Sequence, residues 1–132
     1  MRFVDTSFWV ALQLARDERH AAARELWSNA RAPLLTTNHV VGETWTFLRR
    51  RAGHFAALRF VDAVTRSPRL VIEHVSEAAE REAWEWLRRH DEREYSFVDA
   101  TSFVSMRRRR LSEALAFDGD FQAAGFVEVR PQ

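Results

Sequence analysis

Four aspartates stand where an apolar segment runs out. Asp5 ends Phe3-Val4, Asp99 follows Phe97-Val98, Asp118 ends Leu115-Ala116-Phe117, and Asp120 lies two residues further on. Glu43 joins them from the apolar side of a helical stretch, between Val40 and Phe47. The other three of the seven aspartates, Asp17, Asp62 and Asp91, sit among helical or polar residues and read as solvated. Each candidate has a plain structural explanation when taken alone. Asp5 would cap a following helix. Ser96-Phe97-Val98-Asp99 fits a capping box, in which the carboxylate reaches back to the cap N–H. Asp118-Gly119 is a common hairpin-turn dipeptide, Asp120 would be a turn acid, and Glu43 a charge on a helix surface. Taken together they suggest one cleft. Carboxylates about 5 Å apart repel by about 3 kcal/mol per pair at an effective dielectric near 20. A protein gathers them only where protons or cations compensate. An all-oxygen site suits a hard divalent ion, Mg²⁺ or Mn²⁺. Such ions orient water and stabilise the charge that develops on a phosphate during in-line displacement. The chemistry indicated is metal-dependent phosphodiester hydrolysis.

Elements must carry these acids to one place. Met1–Val4, Pro33–Thr36, Leu70–Ile72, Ala114–Phe117 and Phe126–Val129 read as short apolar strands. Ser7 to Ala15, His20–Ala30, a segment capped by Asn38, Phe55–Val64 and Tyr95–Met106 read as helices. Another helix starts after Ser76, with Glu77 and Glu80 in its first turn and Arg88, Arg89 and His90 in its last, which complements the helix dipole. Strands alternating with helices imply an α/β fold, a parallel sheet covered on both faces. In such sheets the site lies at the carboxyl ends of the strands. No repeat, low-complexity tract or linker interrupts the pattern, and residues 1–132 read as one domain.

Composition removes several alternatives. Hydrophobic residues make up 46% and charged residues 30%, a globular balance. Cysteine is absent, which excludes disulfides, thiolate ligands and cysteine nucleophiles. All 20 basic residues are arginine, so a Walker-A lysine and a Schiff base are excluded too. Arginine still binds phosphate bidentately, but a net charge of +1 gives no global pull toward a polyanion. No run of about 18 apolar residues occurs, and the charged start Met1-Arg2-Phe3-Val4-Asp5 is not a signal peptide. The expectation is a cytoplasmic protein with no membrane association.

At this point the chain resembles the PIN domain family, and within it the VapC-like ribonuclease toxins of toxin–antitoxin pairs. The matching pieces are Val4-Asp5-Thr6-Ser7, the stretch Thr37–Thr44 with Glu43, Phe97-Val98-Asp99-Ala100, and Phe117-Asp118-Gly119-Asp120-Phe121. Their order and spacing, with the total length, carry the resemblance over nearly the whole chain. The resemblance implies a three-layer α/β/α sandwich around a mainly parallel sheet. It implies that Asp5, Glu43, Asp99 and Asp118 are the catalytic, metal-holding acids, with Asp120 an additional ligand and Thr6 a hydroxyl that organises the site. It also implies Mg²⁺ (or Mn²⁺ in its place), endoribonuclease activity leaving a 3′ hydroxyl, a homodimer, and a VapB-like antitoxin that covers the cleft.

Other features read more simply. Arg107–Arg110 cannot all face one ligand, since consecutive helix residues point about 100° apart. They read as a solvated helix end, or as one or two phosphate contacts beside the cleft. Arg49–Arg51 read the same way. Most of the five tryptophans read as core. The five histidines show no metal spacing, and Ser7 lacks the partners of a serine hydrolase. Two competing functions remain. An aspartyl-phosphate phosphotransferase would use Asp5, but it expects a lysine that the chain lacks. A binding module would use the same fold without turnover.

Overall fold

A computed structural model describes residues 1–31 and 33–132. Five strands form one sheet in the order β3-β2-β1-β4-β5, with every neighbouring pair parallel. They are β1 (Arg2–Val4), β2 (Leu34–Thr37), β3 (Leu70–Glu73), β4 (Glu113–Leu115) and β5 (Val127–Glu128). The connecting helices are α1 (Thr6–Gln13), α2 (His20–Asn29), α3 (Asn38–Ala52), α4 (His54–Arg66), α5 (Glu77–Arg89), α6 (Phe97–Arg108) and α7 (Asp120–Ala123).

The chain steps outward from β1 to β2 to β3, then crosses back to β4 on the other side of β1. Parallel crossovers are right-handed, so this reversal puts α1–α4 on one face and α5–α7 on the other. The result is the three-layer α/β/α arrangement expected from the sequence. The reversal point lies between β1 and β4, where an open parallel sheet leaves a crevice beyond its carboxyl ends.

The central strands are apolar because both their faces are covered. Phe3, Val4, Leu34, Leu35, Ala114 and Leu115 are fully buried, and β3 at the edge keeps Val71 at the surface. Helix α6 carries Ala100, Phe103, Val104 and Met106 into the core. Phe103 packs against Trp86, Tyr95, Phe121 and Phe126. On the opposite face Trp9 packs edge-on to Trp27 and Phe60.

Three local readings change. Thr37, not Asn38, caps α3 by accepting from the Val40 N–H at 3.1 Å. Asn38 Oδ1 instead accepts from the Val75 N–H at 2.8 Å and fastens the loop after β3. The fourth strand stops at Leu115 because β1 ends opposite it at Val4; the Phe117 N–H bonds to the Ser7 hydroxyl at 2.9 Å in place of a ladder partner. Asp118-Gly119 is no hairpin turn, since β4 and β5 run parallel. It is the left-handed lead-in to α7, with Gly119 at φ 84°.

Candidate active site

Asp5 is where β1 leaves the sheet. Its N–H still donates to the Leu115 carbonyl of β4 at 3.0 Å. Its side chain turns to cap α1, Oδ2 accepting from the Ser7 N–H at 3.1 Å and the Ser7 hydroxyl at 2.7 Å. Because Ser7 Oγ also accepts from Phe117, one hydroxyl ties together the carboxyl ends of β1 and β4. Asp5 is only 2% exposed.

Asp99 comes from the other face of the sheet, at the start of α6. The capping box forms: the Ser96 N–H donates to Asp99 Oδ2 at 2.9 Å and the Asp99 N–H to Ser96 Oγ at 2.9 Å. The helix cap and the place in the cleft are compatible, because Oδ1 takes part in neither bond. Asp118 and Asp120 flank Gly119, and Asp118 Oδ1 accepts from the Asp120 N–H at 3.1 Å. Carboxylate oxygens of Asp99, Asp118 and Asp120 lie within 4.8 Å of one another. Asp5 stands behind them, close enough that Asp118 and Asp99 both raise its proton affinity. Glu43 is not in this group. It lines the adjoining cleft from α3, together with Thr6, Ser7 and Asp118.

The cluster resists ionisation. Burial, then the charge of Asp118, holds the Asp5 carboxyl well above the usual range, against the opposing bonds from Ser7. Burial is also the main cause for Asp99, pushed up to about 7 with help from Asp120 and Asp118. Asp118 is pushed up to about 6 by burial and by Asp120 and Glu128. Acids in this condition exchange protons for a cation readily.

The donor set fits a hard divalent cation. It is all carboxylate, without nitrogen or sulfur, and the charge it carries has too little compensation. Thr6 Oγ1 is a buried hydroxyl beside Asp5 with no hydrogen-bond partner among the described residues, available to a bound group. Asp5, Asp99, Asp118 and Asp120 could hold the ion, with Glu43 on the neighbouring wall.

Two contributors had been overlooked. Arg93 Nε donates to Asp120 Oδ1 at 2.6 Å and Nη2 to the Asp118 carbonyl at 3.1 Å, which braces the loop from outside. A Cβ on Gly119 would come within 3.1 Å of that guanidinium, so glycine serves both the positive φ and the brace. Glu128, 7% exposed, accepts from the Gly119 N–H at 3.2 Å, the Gln122 N–H at 3.1 Å and Arg130 Nη2 at 3.1 Å. It clamps the same loop from beneath. Glu128 had a faint signal, an acid inside an apolar strand; Arg93 had none.

The arginine run is largely engaged elsewhere. Arg107 lies over the Trp86 and Phe126 rings, Arg108 pairs with Glu82 and Arg109 with Glu73. His39 and His90 pair with Glu80 and Glu92.

This architecture and acid arrangement agree with the comparisons to known proteins. Residues 2–127 match the PIN domain family, and the chain belongs to that family, among its VapC-like ribonuclease toxins. It is 58% identical over 132 residues, the full length of both chains, to "23S rRNA-specific endonuclease VapC20" of Mycobacterium tuberculosis, in strains CDC 1551 / Oshkosh and ATCC 25618 / H37Rv. The crystal structure of Mycobacterium tuberculosis VapC20, described as a sarcin-ricin loop cleaving toxin, superposes with a TM-score of 0.94 at 58% identity. That comparison covers 99% of this chain and 100% of the other. Among the described residues no helix is long and apolar enough to cross a membrane.

Proposed function

We propose that residues 1–132 form one catalytic domain, a Mg²⁺- or Mn²⁺-dependent endoribonuclease that is the toxin of a VapBC-type pair. The observation that carries this reading is the meeting of Asp5, Asp99, Asp118 and Asp120 at the carboxyl ends of β1 and β4. Its support in kind is the 58% identity to an rRNA endonuclease, which makes ribosomal RNA the substrate class to try first. A VapB-like antitoxin would restrain the enzyme by covering the cleft. The reading includes a homodimer and action in the cytoplasm.

Asp5, Asp99 and Asp118 are the principal metal-holding acids in this proposal, and Asp120, held by Arg93, assists. Glu43 completes the acidic rim and Thr6 supplies a hydroxyl beside Asp5. A divalent cation bound there supplies charge neutralisation for the attacked phosphate and eases deprotonation of water. The protein's own contribution is to hold the carboxylates still before substrate arrives. Ser7 fixes Asp5 and Ser96 fixes Asp99, each through two hydrogen bonds between the pair. Such prior orientation avoids reorganisation at the moment of reaction.

The test is a metal titration of the purified protein with a fluorogenic RNA. Cleavage that rises with Mg²⁺ or Mn²⁺ and stops with EDTA is expected. RNA affinity without metal-dependent products would leave a binding module instead.

A further inference from the structure

Beside the acids lies a cleft of about 400 Å³, lined by Thr6, Val10, Glu18, Arg19, Glu43, Phe47, Phe117 and Asp118 among others. It shares Asp118 with the carboxylate group, so whatever fills it lies next to the reacting phosphate. A phosphate would not choose this space. Its walls are apolar at Val10, Phe47 and Phe117, and its rim carries the carboxylates of Glu18 and Glu43, which repel an anion. A nucleobase would choose it. The volume lies within the range of about 300–1,000 Å³ typical of ligand pockets. Phe47 is 36% exposed on α3, one turn beyond Glu43, with the Arg51 guanidinium 5.1 Å from its ring centre. Arg19 and Arg130 lie 5.6 Å and 5.0 Å from the Phe117 ring centre, leaving Phe47 as the more accessible aromatic surface.

The polar groups then discriminate between bases. Asp17 already accepts from the Arg19 N–H at 2.8 Å, and Asp118 belongs to the acid cluster. Glu18 and Glu43 remain as acceptors. Guanine alone presents two adjacent N–H donors on its Watson–Crick edge, a match for one carboxylate. Adenine, cytosine and uracil each place an acceptor there, against the negative charge. Unpaired bases in RNA are commonly read by such stacking and edge contacts.

We propose that this cleft receives one unpaired guanine adjoining the cleaved phosphate, stacked on Phe47 with its edge toward Glu18 and Glu43. The proposal rests on the ribonuclease reading and specifies its substrate. The test uses short single-stranded RNAs that differ at the two bases flanking the cut, as guanine, inosine, adenine or an abasic site. Wild-type protein with Mn²⁺ should lose about tenfold or more in kcat/KM on the abasic RNA, the scale of base–aromatic stacking. Inosine, which lacks the 2-amino donor, should fall between guanine and adenine. Phe47→Ala should raise KM on the guanine RNA by about tenfold with kcat little changed. Glu18→Gln should narrow the guanine-to-inosine ratio. Equal KM and equal base preference in wild type and Phe47→Ala would overturn the proposal while leaving the ribonuclease intact; that result would suit a cleft shaped for a protein segment. Failure of the wild type to cut any of the RNAs with Mn²⁺ would overturn the ribonuclease reading beneath it.

Discussion

The inner and outer acids of the site are held in opposite ways. Asp5 and Asp99 are buried and take their hydrogen bonds from Ser7 and Ser96, each doubling as a helix cap. Asp118 and Asp120 sit on a short loop, fixed by Arg93 from one side and Glu128 from the other. The inner pair belongs to the frame of the fold, at the ends of β1 and the start of α6. The outer pair depends on contacts between distant parts of the chain. A site assembled this way has a rigid back wall and an adjustable front, and only the front carries its own cation.

The contrast predicts graded effects. Asp5→Asn and Asp99→Asn should reduce RNA cleavage most, by about 10³-fold or more, equivalent to about 4 kcal/mol of transition-state stabilisation. Asparagine preserves the size of each side chain, so circular dichroism should match wild type. Cleavage near wild-type rates in both variants would remove the inner pair from catalysis.

Arg93→Gln should come next, with cleavage about tenfold down through loss of the Asp120 brace, the usual scale for residues that orient ligands. An equal loss in the Asp120→Asn variant, without further loss in the double variant, would tie the two to one role. Additive losses would separate them.

Stability should vary with pH in the direction set by the raised carboxyls. Asp5, Asp99 and Asp118 bind protons more tightly folded than unfolded, so their stabilising contribution is full below the ordinary carboxylate range and is lost as pH rises through about 6 for Asp118 and about 7 for Asp99. Metal-free protein should therefore melt at a higher temperature near pH 5.5 than near pH 8, provided these groups dominate the change. Saturating Mn²⁺ near pH 8 should restore the difference, and Asp99→Asn should diminish it. A melting temperature that does not respond to Mn²⁺ would contradict the cation-holding role.

The smallest effect belongs to the arginine run. Arg108→Gln breaks an exposed pair with Glu82 and should shift stability by less than about 1 kcal/mol. Its RNA cleavage should stay within about twofold of wild type, because Arg108 faces α5 and not the acids. A tenfold loss would extend the RNA path onto α5 and α6.

The legible part of the molecule was the part built from local rules. Asp5 and Asp99 were visible because a strand end and a helix cap leave marks within three or four residues. The α/β alternation was visible because the central strands are buried on both faces and read as unbroken apolar runs. Helix α7 escaped because four residues, Asp120–Ala123, are too few to show a helical period. The displaced cap at Thr37 escaped because Asn38 has an equally good capping side chain, and only the partner Val75, brought in by β3, decides between them. Arg93 escaped because its two contacts lie 25 and 27 positions away, across a break between elements.

The clamp at Glu128 has a consequence in time. The loop bearing Asp118 and Asp120 is fastened by a residue that leaves the ribosome after every other acid of the site. A nascent chain can lay down β1 through β4 and still lack the strand that settles its last two carboxylates. A toxin so arranged gains a finished cleft only at the close of its own synthesis, when a waiting inhibitor has the whole surface to bind.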